Sequence, residues 1–390
     1  MDSFVFHNPT KFVFGPGAEE KIGLELNAMS IQRVLLVYGQ GSVVKSGLLE
    51  RVKAALTQAD IQHWELGGVL PNPLSGPVYE GIQTARARQV QLVVGLGGGS
   101  AIDTAKAIAL GVPYEGDFWD FFSGKAAPKA RLPVATVLTI AAAGSEASNS
   151  AVITHEGLQL KRGVKVELNR PVLSLMNPEL TYSVPSDQKA NGTADMMAHI
   201  FERYFTNSRD VGLSDELCEG VLRNIIQAGP KALADPRDYA AHADLMWAGT
   251  LAHNDTLSPG RQQDWATHAI SYAISTHYGA AHGSVLSVLF PKWMRHVLKQ
   301  DPARCARFAV KVMGVEPVAG DDAATAEKGI QALEAYYLSL GLPANLRAYG
   351  VKEADVKRLA AEAPYRADGA VGFFVPLKVQ DVEAIYLAAL

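Results

Sequence analysis

Short apolar runs alternate with helix-like segments through the first half of the chain. The runs have the length of strands, and they occupy residues 4–7, 11–14, 33–38, 61–65, 91–96, 134–138 and 171–176. Because strands that alternate with helices are typical of βαβ units, this pattern predicts a mostly parallel sheet with helices on both faces.

The pattern changes near Pro185. From Ser186 onward the chain consists of helix-like segments and has almost no run of strand character. A length of 390 residues also exceeds the size at which one hydrophobic core usually stops growing. We therefore predict two domains, an α/β domain over residues 1–185 and an all-helical domain over residues 186–390.

Composition narrows the class of protein. Hydrophobic residues make up 48% of the chain, charged residues make up 19%, and the formal net charge is −4. This is ordinary for a globular protein, and the absence of a basic patch argues against a nucleic-acid or membrane partner. The two distant cysteines, Cys218 and Cys305, form no disulfide framework, and no signal peptide or apolar run of ~20 residues stands out. We expect a soluble, cytoplasmic protein.

A glycine turn follows the apolar run 91–96. Gly97, Gly98, Gly99 and Ser100 stand between this run and an Ala- and Ile-rich helix. Glycines let the backbone approach a pyrophosphate, and the next helix directs its free N–H groups toward the anion. A tight turn that needs positive φ is the alternative, but three consecutive glycines exceed what a turn requires. Asp103, on the same helix, is predicted either to cap it or to hold a ribose hydroxyl, and Lys106 could be a solvated charge.

A second glycine cluster, Gly39, Gly41 and Ser42, follows the run 33–38. An acidic residue at such a strand end binds the ribose 2′-hydroxyl and repels a 2′-phosphate, and none is present here. With Lys45 nearby, the segment favours NADP over NAD. A plain strand-to-helix turn remains the alternative.

Acidic and imidazole side chains in the helical half suggest a metal site. Asp195 and His199 stand at i and i+4, so a helix would point them the same way. His268 and His282 follow later in the chain. One carboxylate and three imidazoles suit Fe²⁺ or Zn²⁺, although each histidine taken alone could be structural and the spacing does not show that they converge.

Several motifs in order resemble one family. They are the segments 97–106 and 143–146, the Asp195/His199 pair, and the segment 259–268 that leads to His268 and then His282. Together they resemble the iron-containing (group III) alcohol dehydrogenases, in particular the butanol dehydrogenase and broad aldehyde reductase branch. The likeness covers nearly the whole chain.

The resemblance implies a fold and a set of ligands. It implies a Rossmann-like α/β domain followed by an all-α domain, an arrangement shared with dehydroquinate synthase, and it implies homodimers. It also implies that Asp195, His199, His268 and His282 bind one divalent metal, iron or zinc. The glycine turns would hold an NADP or NAD molecule, and Asn72, Thr139 and Lys161 would approach that nucleotide.

The chain departs from the family pattern at two positions. Ala143 replaces the threonine that precedes the Gly-Ser-Glu triplet, which removes one expected nucleotide hydrogen bond. Tyr272 stands where the family often carries a second histidine, a suspected proton-relay group. Tyr272 is therefore a candidate for that catalytic role, and packing is the alternative.

The expected activity is hydride transfer between NADP(H) and a small alcohol or aldehyde. A sugar-phosphate cyclase, a lyase of the dehydroquinate synthase kind, is a second possibility. It is disfavoured because residues 264–285 carry no lysine or arginine to grip a substrate phosphate. A catalytically silent nucleotide-binding protein is a third.

Overall fold

The computed structural model describes residues 1–390 and forms two compact units. One unit is His7–Val184, and the other is Pro185–Leu390 together with Met1–Phe6. Residues 1–6, which the sequence analysis groups with the α/β domain, thus lie with the helical residues. The run 4–7 forms no strand.

The unit His7–Val184 contains all the strands. They are β1 (Lys11–Phe14), β2 (Arg33–Gly39), β3 (Gln62–Val69), β4 (Leu92–Gly97), β5 (Val134–Leu138), β6 (Ser150–His155), β7 (Leu160–Lys165) and β8 (Leu173–Met176). Its α-helices are α1 (Ile22–Ala28), α2 (Ser42–Lys45), α3 (Leu48–Gln58), α4 (Ser75–Ala87), α5 (Gly99–Gly111) and α6 (Trp119–Ser123).

Six strands form one sheet in the order β1-β8-β5-β4-β2-β3, and every pairing in it is parallel. The predicted parallel sheet is confirmed. The chain runs from β2 outward to β3 and then returns to the other side of β2 as β4. The carboxyl ends of β2 and β4 therefore flank a topological switch point, where open α/β sheets bind ligands.

Alternate side chains of the sheet enter two separate cores. Leu35 and Val37 of β2 lie in a cluster that includes residues of α4, α5 and α6. Val34 and Leu36 lie in a cluster with α1 and α3. This alternation is expected for a strand covered on both faces. β6 and β7 form a separate antiparallel hairpin, which the sequence analysis does not predict.

The helical unit has nine α-helices. They are α7 (Ser186–Tyr204), α8 (Gly212–Ala234), α9 (Tyr239–His253), α10 (Ala266–Tyr278), α11 (His282–Val297), α12 (Pro302–Lys311), α13 (Asp322–Ser339), α14 (Val356–Ala361) and α15 (Val379–Ala388). The predicted all-helical half is confirmed. α7 packs against α8, α9 and α11. No helix combines the length and apolar character that crossing a bilayer requires.

Candidate active site

One face of α7 collects polar side chains in the interior of the helical unit. Asp195, His199 and Glu202 follow one another at i, i+4 and i+7, which places them on the same face, and all three are buried. α10 contributes His268 near its first turn, and α11 begins at His282.

A glycine brings α11 close to α7. A Cβ at Gly283 would lie 2.0 Å from the backbone oxygen of Asn191 and 3.2 Å from the Cβ of Asp195. Only a residue without a side chain permits this approach. Gly283 thus lets the start of α11 place His282 beside Asp195.

Three of the four predicted metal ligands meet. Asp195, His268 and His282 each offer a ligand atom, and these atoms lie within 4.8 Å of one another. His199 is not part of that group, but its ring centroid lies 4.6 Å from that of His268 and its Nδ1 lies 3.8 Å from Asp195 Oδ1. His199 as a fourth ligand stays a prediction.

The Nδ1 atom of each imidazole faces an acceptor in the protein. His268 Nδ1 donates to Glu202 Oε1 over 2.8 Å, and His199 Nδ1 donates to the backbone oxygen of Asp195 over 2.9 Å. The Ser271 hydroxyl donates its proton to the backbone oxygen of His268. The Ser271 Oγ is therefore the acceptor in its contact with His282 Nδ1, over 3.2 Å. These contacts select the tautomer that carries its proton on Nδ1 and leaves Nε2 able to bind a cation.

Burial favours the neutral form of His199. Burial lowers the pKa of His199 well below its usual range, and the neighbouring His253, His268 and Arg203 lower it further. Arg203 is itself buried, donates to the backbone oxygen of His199 and stacks over the Trp265 ring at 4.9 Å. A neutral imidazole is the form that binds metals.

The donor set fits a divalent metal. His268 Nε2 is buried and has no hydrogen-bond partner, which is costly unless a cation occupies that direction. One carboxylate oxygen and imidazole nitrogens are borderline ligands for iron or zinc. The side chain of His282 is 26% exposed, so this edge of the cluster can be reached from solvent.

Tyr272 lies beside this exposed edge. It follows His268 by one helical turn on α10, and its ring centroid is 6.0 Å from that of His282. Its phenol is therefore near the cluster, and its role in proton transfer stays a prediction.

The two glycine turns lie at the switch point of the α/β unit. β4 ends at Gly97, whose φ of +150° suits glycine, and a Cβ at Gly98 would lie 2.5 Å from Ile140 Cγ2. α5 starts at Gly99 and continues through Ser100, and no side chain caps its N-terminus. The backbone N–H of Thr139 donates to the oxygen of Gly97, which joins β5 to this turn.

The turn after β2 is adjacent. α2 begins at Ser42, directly after Gly41. A Cβ at Gly39 would meet its nearest atom at 3.5 Å, so this position has room for a side chain. The carboxylate nearest along the neighbouring strand, Glu65, accepts from Tyr38 and pairs with Lys53.

The other predicted nucleotide residues contact the chain itself. Lys161 donates to Asn72 Oδ1 over 2.8 Å, so these two residues meet. The Asp103 carboxylate accepts from Ser145 Oγ and from the backbone N–H of Val152, and it does not cap its helix. Both carboxylate oxygens of Asp103 already accept a hydrogen bond within the chain, so neither of them requires a ribose hydroxyl as a donor.

Lys106 is not a solvated charge. It is fully buried and donates to Ser145, Ser148 and Ser150, and burial lowers its pKa to about 8. Lys106 and Asp103 together fix the loop that holds Ser145 against α5.

The sequence analysis does not predict two residues that contact the candidate metal ligands, Glu202 and Ser271. Glu202 has a sequence signal, since it continues the spacing of Asp195 and His199 along one helix face. The only sequence signal for Ser271 is that it follows His268 by three residues, and this spacing is too common to identify a functional residue.

The fold and cluster define an α/β protein with a helical second unit that carries a candidate metal site. Its first part, residues 9–178, matches the family model for iron-containing alcohol dehydrogenase, and residues 189–390 match the C-terminal model of that family. The chain belongs to the iron-containing alcohol dehydrogenase family, which confirms the resemblance.

Individual relatives match all or most of the chain. A probable NADH-dependent butanol dehydrogenase 1 of Bacillus subtilis is 40% identical over 390 residues and covers 100% of both chains. An NADPH-dependent aldehyde reductase of Escherichia coli, YqhD, is 33% identical and covers 92% of each. The crystal structure of NADH-dependent butanol dehydrogenase A from Thermotoga maritima superposes with a TM-score of 0.95 at 38% identity, over 100% of this chain and 99% of that one.

Proposed function

We propose that this chain transfers a hydride between a nicotinamide dinucleotide and a small alcohol or aldehyde, with the help of a divalent metal. The main support for a metal is the convergence of Asp195, His268 and His282. The buried His268 Nε2 also has no hydrogen-bond partner. The names of the relatives, butanol dehydrogenase and aldehyde reductase, support the substrate class.

Asp195, His268 and His282 would hold the metal, and His199 would complete the set. Bound there, the metal would supply a Lewis acid that polarises the substrate oxygen. Asp195 contributes the negative charge of the ligand set, and the buried side chains of His199 and His268 keep water away from their side of the site. Tyr272, beside the exposed edge of His282, is the candidate for passing the proton to solvent.

The α/β unit would bind the dinucleotide, which supplies or accepts the hydride. The uncapped N-terminus of α5 after the Gly97–Gly99 turn offers free N–H groups to a pyrophosphate. Asn72 and Lys161, which contact each other, would approach the same molecule, as would Asp103 and Thr139.

We propose that the preferred nicotinamide cofactor is NADP(H) rather than NAD(H). No carboxylate follows β2 in the segment from Gly39 to Ser42, and Glu65 is already engaged by Tyr38 and Lys53. Relatives carry both NADH and NADPH in their names, so the ratio of kcat/KM for the two cofactors decides this point. Iron or zinc, a cytoplasmic location and a homodimer belong to the same proposal.

The test is an assay of aldehyde reduction over a substrate panel with NADPH and NADH, using protein loaded with Fe²⁺ or Zn²⁺. We expect steady oxidation of the cofactor and expect His282→Ala to lower turnover by orders of magnitude and to lose metal. His277→Ala is the matched control, because His277 lies on the same helical unit but is exposed and pairs with Glu362.

Normal metal content and turnover in His282→Ala would contradict the assignment. A sugar-phosphate cyclase would give no steady net change in the nicotinamide, and a silent binding protein would give none despite binding the dinucleotide.

A further inference from the structure

Glu202 makes an unusual pair of contacts with one residue. Its Oε1 accepts both the backbone N–H of His268 over 2.9 Å and the ring Nδ1 over 2.8 Å. The Glu202 side chain is completely buried, and its Oε2 has no hydrogen-bond partner. A single carboxylate oxygen thus fixes both the main chain and the ring orientation of His268.

We propose that Glu202 is a positioning residue for the metal: it holds His268 with Nε2 directed at the cation, and it supplies a second negative charge. This inference rests on the proposed metal site. Metal-binding histidines commonly donate their other N–H to a carboxylate, which fixes the tautomer and raises the basicity of the ligand.

Charge balance gives an independent reason. A divalent cation bound by Asp195 and neutral histidines leaves a net charge of one in a buried place, and burying an uncompensated charge is expensive. The Glu202 carboxylate would cancel that charge. This also explains how an oxygen of Glu202 without a hydrogen-bond partner can be tolerated inside the protein.

The three histidines are not equivalent in this respect. The Nδ1 of His282 faces the Ser271 hydroxyl, and that of His199 faces a backbone oxygen. The Nδ1 of His268 instead donates to the Glu202 carboxylate. Loss of Glu202 should therefore weaken metal binding through His268.

Surrounding contacts hold Glu202 itself in place. The backbone N–H of Asp264 donates to the backbone oxygen of Glu202 over 2.7 Å. The Asp264 carboxylate in turn accepts the backbone N–H groups of Phe373 and Phe374. These hydrogen bonds join the backbone of Glu202 to Asp264 and, through the Asp264 carboxylate, to Phe373 and Phe374.

The experiment uses the full-length chain freed of metal and titrated with Co²⁺ against a competing chelator, with the visible spectrum recorded. Glu202→Gln keeps the shape and removes the charge. We expect it to bind Co²⁺ about 10- to 100-fold more weakly, with shifted visible bands. Glu219→Gln is the matched control, since Glu219 is an equally buried carboxylate that binds Tyr204 and Arg307.

Glu202→Asp keeps the charge but shortens the side chain, so its comparison with Glu202→Gln separates the effect of the charge from that of the contact with His268. It should bind Co²⁺ more tightly than Glu202→Gln, while the melting temperatures of the two metal-free variants stay similar. The inference is overturned if Glu202→Gln matches the unaltered protein in affinity and spectrum, or if Glu202→Asp binds no better than Glu202→Gln. If the unaltered protein itself binds no Co²⁺, the proposed metal site is wrong, and the role of Glu202 that rests on it is wrong as well.

Discussion

Asp264 shows how burial controls a single charge near the cluster. Burial, followed by the charge of Glu202, raises the pKa of its carboxyl to about 7, even though the backbone N–H groups of Phe374 and Phe373 act to lower this pKa. The ordinary value is 3.8. Between these two values the folded protein binds more protons than the unfolded chain, so this carboxyl makes the fold less stable as the pH rises through that window.

Asp264→Asn should remove this dependence. Asn still offers an oxygen to Phe373 and Phe374 but does not ionise. We expect the stability of the unaltered protein, relative to the variant, to fall by at most about 1.4 kcal/mol per pH unit between about pH 4 and pH 7. Melting temperatures of the metal-free proteins across this range test it, and curves that stay parallel would show that Asp264 does not titrate there.

The proposed metal ligands are partly visible in the sequence, but the residues that surround them are not. Asp195 and His199 share a helix face, which their spacing reveals, whereas the spacing of His268 and His282 does not show that they converge on that face. Glu202 and Ser271 act through contacts that depend on how α7, α10 and α11 pack. The burial of Lys106 likewise depends on a loop whose path no local pattern indicates.

Among the elements, strands buried on both faces are the most predictable. The run 134–138 coincides with β5, because a fully apolar strand has a strong signal. The hairpin β6–β7 escapes prediction, since its second strand is largely exposed and carries Lys161, Arg162 and Lys165. The run 4–7 is apolar but pairs with no strand.

The approach of α11 to α7 gives a prediction at this scale. Gly283→Ala places a methyl group 2.0 Å from the backbone oxygen of Asn191, so one helix must shift. Overpacking of this kind costs about 1–3 kcal/mol. The shift also moves His282 away from Asp195, so we expect a lower melting temperature and weaker Zn²⁺ binding.

Gly212→Ala is the control for this substitution. Gly212 starts α8, and an added Cβ meets nothing within 4 Å. Melting temperature and Zn²⁺ affinity should both stay close to those of the unaltered protein. Equal behaviour of the two variants would show that the close approach at Gly283 is not needed for the site.

For the whole molecule, the division of the chain separates the two parts of the proposed chemistry. The glycine turns belong to the unit His7–Val184, and all four predicted metal ligands belong to the other unit. A bound cation would therefore link α7, α10 and α11 within one unit. Its stabilising effect should be confined to that unit.

Hydrogen–deuterium exchange with and without Zn²⁺ tests this confinement. A ligand present at 100 times its Kd stabilises the state that binds it by about 2.7 kcal/mol. We expect slower exchange in α7, α10 and α11 when Zn²⁺ is added, and unchanged exchange in β4 and β5. His282→Ala should show no such protection, because it lacks one ligand. Protection that spreads equally over the parallel sheet, or that persists in His282→Ala, would mean that the cation binds elsewhere in the protein.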